Sequence, residues 1–202
     1  CSKGLCMQLP PPRRRPPPII TLWTTSLTLA LSVVGAVACA TTSIQLHSKT
    51  SADGSQDRLV YGPVSFSVPS GLVKEGPDED GHYTLSDDND DEPYSLVLAM
   101  TESPMSAELT ARMVGEHLEK EDDIDYTLKG VENQKVRNLK VATLTSVMKL
   151  DGYVALQRQV YVKTDDDNVF LLTVTSLESS HEQADACLAM VLDTLRVVAQ
   201  KR

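Results

Sequence analysis

Few residues in this 202-residue chain have the type and spacing to do chemistry. Asp87, Asn89 and Asp91 have the D-x-N-x-D spacing of a calcium loop. Glu92 replaces the glycine that such a loop needs at its sixth position, and Leu98 replaces the glutamate at its twelfth. These residues are weak metal candidates, and a solvated acidic loop is the favoured reading. His181-Glu182-Gln183-Ala184-Asp185 approaches the H-E-x-x-H zinc motif but lacks the second histidine that would ligate the ion. His117 falls beside Val114 and Leu118 on the apolar side of a helical pattern, where a partly buried structural histidine is expected before a base. Cys187 lies on an apolar helical stripe and reads as a small buried hydrophobe. An enzyme built on His117 or Cys187 is therefore the alternative, and a protein with no catalytic residue is the expectation. No nucleophile elbow, phosphate loop or dinucleotide fingerprint is present, so no cofactor is expected.

The cysteine with the clearest chemistry is Cys39. It closes the run Gly35-Ala36-Val37-Ala38-Cys39, in which small side chains precede a thiol as in a bacterial lipobox, although Ala36 stands where leucine is usual. Three outcomes are open: lipidation at Cys39 after cleavage between Ala38 and Cys39, plain cleavage after the A-x-A sequence Ala36–Ala38, or retention of the segment as an anchor. The elements around Cys39 suit all three. Arg13–Arg15 form a basic region, and Ile19–Ala40 is an apolar run. No charged residue occurs from Pro16 to Ser48. Twenty-two residues at 1.5 Å each can cross a ~30 Å bilayer core. Met7 would serve as a start that makes the basic region compact. In each case the arginines stay in the cytosol and everything beyond Ala40 is exported.

Charge divides the chain in the same place. Residues 1–38 hold four basic and no acidic side chains, whereas Cys39–Arg202 hold 15 basic and 28 acidic ones. The overall net charge of −9 argues against a nucleic-acid partner, which requires a basic footprint. The expected organisation is a signal peptide over 1–38, a lipidated cysteine with a polar tether over 39–56, and one folded domain over 57–202. Partners would be the membrane, through the lipid or apolar segment, and an envelope protein. The expected location is outside the cytosol, anchored to the cell membrane on its periplasmic or outer-surface side.

Within the domain, Val64–Val68 alternates like a half-buried strand, and His82–Leu85 and Ser95–Met100 are further strands. Ser103-Pro104 opens a helix whose apolar stripe is Leu109, Met113, Val114 and Leu118. Short strands are expected near Tyr126–Leu128 and Gln134–Val136. Lys140–Leu150 and Tyr153–Lys163 flank Asp151-Gly152, a two-residue hairpin signal, and a third strand runs over Val169–Leu177. Phe170, Leu172 and Val174 oppose Leu171 on that last strand, so the sheet needs cover on both faces. A helix opened by a Ser180/Gln183 capping box, with Ala184, Cys187, Leu188, Val191 and Leu195 on one stripe, covers one face. The helix near Leu109 covers the other. The fold class is α+β, an antiparallel sheet between helices.

The opening V-S-F-S-V-P-S-G at Val64–Gly71, the helix after Ser103-Pro104, the meander, and the ending A-M-V-L-D-T-L-R-V at Ala189–Val197 together resemble the PsbP-like fold. Within it they resemble the DcrB-like exported bacterial lipoproteins. The likeness spans about Tyr61–Val198. Leu72 stands where that family commonly has tryptophan. The resemblance implies a non-catalytic binding or accessory role at a membrane. It also implies, as an alternative, a PsbP-domain protein of the thylakoid lumen associated with a photosystem.

Overall fold

The computed structural model describes residues 45–87, 94–120, 125–150, 153–165 and 167–197. The apolar segment Ile19–Ala40, Cys39 and the D-x-N-x-D residues Asn89 and Asp91 lie outside them, as does the Asp151-Gly152 turn. Among the described residues, no helix is long and apolar enough to cross a membrane.

Among the described residues, eleven strands and two α-helices follow in the order β1 (Leu46–Thr50), β2 (Gln56–Tyr61), β3 (Val64–Pro69), β4 (Val73–Glu75), β5 (Tyr83–Ser86), β6 (Tyr94–Glu102), α1 (Ala107–Leu118), β7 (Asp125–Val136), β8 (Leu139–Leu150), β9 (Tyr153–Lys163), β10 (Asn168–Leu177), α2 (His181–Thr194) and β11 (Arg196–Val197). All pairings are antiparallel. They make a seven-stranded sheet in the order β4-β5-β6-β10-β9-β8-β7 and a four-stranded sheet in the order β1-β2-β3-β11.

The expected meander is present. β8 and β9 pair out to Leu150↔Tyr153, which leaves two residues for the connection. Alternation puts Phe170, Leu172 and Val174 into one core and Val169 and Leu171 into the other. The second core is closed by α1, which lies over β7, β8 and β9. Its contact face is Ala107, Thr110, Ala111, Val114, Gly115 and Leu118. Leu109 and Met113, expected on the inner stripe, are instead 47% and 39% exposed. The reason is the close approach of helix to sheet. Small residues face inward, and a Cβ on Gly115 would sit 3.1 Å from the Leu144 side chain. The helix also starts later than Ser103-Pro104 predicts. Ser106 is its N-cap and accepts from the Leu109 amide, while Ser103 pairs its hydroxyl with Thr110 at 3.1 Å.

The first core departs from the expected layering. Its cover is α2 together with the small sheet, so one face of the large sheet meets a second sheet as well as a helix. Val64, Phe66 and Val68 face this core. Ser65 and Ser67, expected to be solvated, are also buried. Both serines are used: Arg58 donates to the Ser65 hydroxyl at 3.0 Å, and the Ser67 amide donates to Thr194 Oγ1 at 2.7 Å. Leu72 fills its place in this core as a buried residue. Ser180 makes no side-chain cap for α2; its hydroxyl donates to the Leu177 carbonyl instead. The two short strands expected after α1 are one long edge strand, β7, with an irregularity between Leu128 and Gly130.

The stretch 39–56 was expected to be tether, yet β1 occupies Leu46–Thr50 and pairs residue by residue with β2. An edge strand needs only backbone partners and one apolar anchor. Leu46 packs against the first core while the rest of β1 is exposed, so its composition carries no strand signal. Asp57, the first residue of the expected domain, is buried in that arrangement. It accepts from Lys74 at 2.7 Å, Thr50 at 2.8 Å and Ser70 at 3.3 Å. One carboxylate thereby clips β1, β2 and β4 together.

Candidate functional site

Among the described residues, Cys187 and His117, singled out for chemistry, are not brought together. Cys187 is buried in the first core, on α2. His117 is half-buried near the end of α1, on the opposite side of the large sheet. The sheet separates them, so no Cys187–His117 pair exists. The Cys187 thiol is hydrogen-bonded to the Tyr94 side chain, and burial pushes it up to about 12, which keeps it protonated. His181, in the first turn of α2, faces the Ser176 hydroxyl at 3.0 Å. Asp87 ends the described part of the acidic loop, and Asn89 and Asp91 lie outside the described residues.

Two polar assemblies were not anticipated. The first runs along the α1-facing side of β9. Tyr161 donates to Gln159, and Gln159 donates to Gln157 at 2.9 Å. All three are buried. Burial raises the Tyr161 phenol well above its ordinary range, so it remains a donor. The register continues this polar line across the sheet, as Ser146↔Gln157, Gln157↔Thr175, Thr175↔Ser95 and Ser95↔Ser86. Those five residues are buried too. The hydroxyls of Ser146 and Thr173 have no hydrogen-bond partner among the described residues.

The second assembly is the loop between β4 and β5. Asp78, Asp80 and His82 each place one ligand-type atom within 4.8 Å of the other two. The loop builds this from its own backbone. Asp78 Oδ1 accepts from the Asp80 amide at 3.0 Å and from the His82 amide at 2.7 Å. The Asp78 amide donates to the His82 carbonyl, and the Gly81 amide to the Asp78 carbonyl, both at 3.0 Å. Oδ2 of Asp78 is left facing His82 Nδ1 at 3.1 Å. A buried phenol staples the loop to the core: Tyr61, 1% exposed, donates to the Gly81 carbonyl at 3.2 Å. Gly76 permits the closure. Its φ is +115°, and a Cβ there would stand 2.6 Å from the His82 carbonyl oxygen. Sequence reasoning missed this cluster because it looked for a calcium loop. The signal is the alternation in Asp78-Glu79-Asp80-Gly81-His82, where a turn brings i, i+2 and i+4 to one side.

This arrangement of a seven-stranded antiparallel sheet, one helix on each side and a small second sheet is the PsbP-like fold. Solved structures that share it include LpqN of Mycobacterium tuberculosis, involved in cell envelope biogenesis (TM-score 0.53, 10% identity, 77% of this chain and 92% of that one). The cyanobacterial PsbP of Synechocystis superposes with a TM-score of 0.51 at 12% identity, over 82% of this chain and 99% of that one. The Ran-binding protein Mog1p of Saccharomyces cerevisiae does so with a TM-score of 0.50 at 11% identity, over 77% and 97%. At these identities the likeness concerns the fold alone. No family model and no curated protein matches the sequence.

Proposed function

We propose that the chain is an exported accessory domain of the cell envelope, anchored through a lipid on Cys39 and acting by binding rather than catalysis. The observation that carries the reading is the junction at Cys39. A basic cluster, a charge-free apolar run and Ala36-Val37-Ala38-Cys39 stand directly ahead of a domain with net negative charge. Two features support it. The fold is shared with an envelope-biogenesis protein. The candidate nucleophile Cys187 is a buried, protonated thiol on the far side of the sheet from His117.

The position of β1 sharpens the mechanism. With β1 starting at Leu46, only residues 40–45 separate the anchor from the folded domain. Six residues extend to at most about 20 Å, so the domain stands close to the bilayer rather than ranging over tens of ångströms. Its acidic surface keeps it from lying on anionic lipid.

Intact-mass analysis of the membrane fraction tests the reading. A mature N-terminus at Cys39 carrying acyl mass is the expected result. An unprocessed leader, or cleavage after Ala38 without added mass, would remove the lipid anchor from the proposal. A thylakoid-lumen PsbP-domain protein is the second reading, favoured by the extent of the match to cyanobacterial PsbP.

A further inference from the structure

We propose that the β4–β5 loop is a binding site for a first-row divalent transition metal, with His82 Nδ1, Asp78 Oδ2 and an Asp80 carboxylate oxygen as its protein ligands. The donor set is one imidazole and two carboxylates, which suits zinc or manganese better than calcium, an ion that prefers six or more oxygens. Distances fit with little movement. Ligands 2.0–2.2 Å from a tetrahedral zinc lie roughly 3.4 Å from one another. The Asp78–His82 separation is already 3.1 Å. The third donor is within 4.8 Å, on an exposed side chain that is able to rotate inward.

The two fixed ligands are also held as a site requires. His82 is buried, with its side chain 10% exposed, and its Nδ1 faces the Asp78 carboxylate. Asp78 has one oxygen committed to the loop amides, so its second oxygen is oriented without cost at the moment of binding. The metal would take the place of the direct Nδ1–Oδ2 contact, and the remaining coordination positions would be open to water or to a partner's side chain. The site is independent of the lipid anchor: it stands or falls with the loop, whatever happens at Cys39.

The test uses the purified full chain in mild detergent, stripped of metal, and titrated separately with Zn²⁺ and Mn²⁺. Manganese, a paramagnetic probe, is expected to broaden the amide resonances of Asp78–Tyr83 before those of Cys39 or His47. Zinc is expected to bind this loop with one equivalent. Loss of a group that merely orients a ligand lowers metal affinity about 10–100-fold. Asp80→Asn, at an exposed position that leaves the loop's backbone bonds alone, should therefore weaken binding at least tenfold. Gly76→Ala, which forces the loop away from the His82 carbonyl, should weaken it while leaving all three ligands in the chain. Broadening located elsewhere, or zinc affinity unchanged in Asp80→Asn, overturns the assignment.

Discussion

Replacing Asp57 tests whether the small sheet is clipped to the domain as described. The carboxylate side chain is 9% exposed and its partner Lys74 is 29% exposed. Breaking a buried pair by removing one member costs about 3–5 kcal/mol when the survivor is stranded. Lys74 retains a path to water, so the cost falls to the bottom of that range or below it. Thr50 and Ser70 each lose a charge-assisted acceptor as well. Asp57→Ala should therefore destabilise the domain by about 2–3 kcal/mol, lowering Tm by roughly 5–10 °C for a domain of this size. Lys74→Met strands a carboxylate that is only 9% exposed but keeps two hydroxyl donors, and should cost a similar amount.

The pH dependence has a definite sign. Hydrogen bonding from Lys74, then Thr50, holds the Asp57 carboxyl below its ordinary value in the folded state. Its contribution is therefore fully present above about pH 4, the unfolded value, and is lost as pH falls through the lower folded value. Urea unfolding of the wild type and of Asp57→Asn, followed from pH 6 down to pH 2.5, should give curves that converge in acid. A constant gap across that range, or a loss below about 0.5 kcal/mol for Asp57→Ala at pH 7, would refute the clip.

Two further expectations concern the two cores. Gly115→Ala should be within about 1 kcal/mol of neutral, since the gain in helix propensity opposes a 3.1 Å approach to a flexible Leu144 methyl; Gly115→Val should cost about 1–3 kcal/mol by pushing α1 off the sheet, measured by chemical denaturation. Cys187 should resist alkylation in the native protein and react once the chain is unfolded, as mapped by peptide mass spectrometry; native labelling at a rate near that of the unfolded chain would contradict its burial and its raised pKa.

Residue pattern alone determined the three-stranded meander of the large sheet. The three long strands, their two-sided alternation and the stripe of α2 were legible because period two and period 3.6 are local properties of the chain. They held where Phe170 and Leu171 went to opposite cores and where Cys187 fell on the buried stripe. The basic cluster, the charge-free run and Cys39 are likewise features of composition, and the export and anchoring proposed from them rest on that composition alone.

Tertiary structure decided everything that depends on close approach or on a distant partner. Leu109 and Met113 were left outside because α1 needs Ala111 and Gly115 against the sheet, and no local pattern reports how near two elements will come. β1 was hidden in a polar stretch because an edge strand draws its order from its neighbour's backbone, not from its own side chains. Ser65 and Ser67 look solvated in sequence, yet Arg58 and Thr194 reach them from elsewhere in the fold. The Asp78–His82 loop became a cluster of converging donors only when Tyr61 and Gly76 closed it, and a carboxylate's neighbours are set by that closure, whereas the sequence sets only its charge.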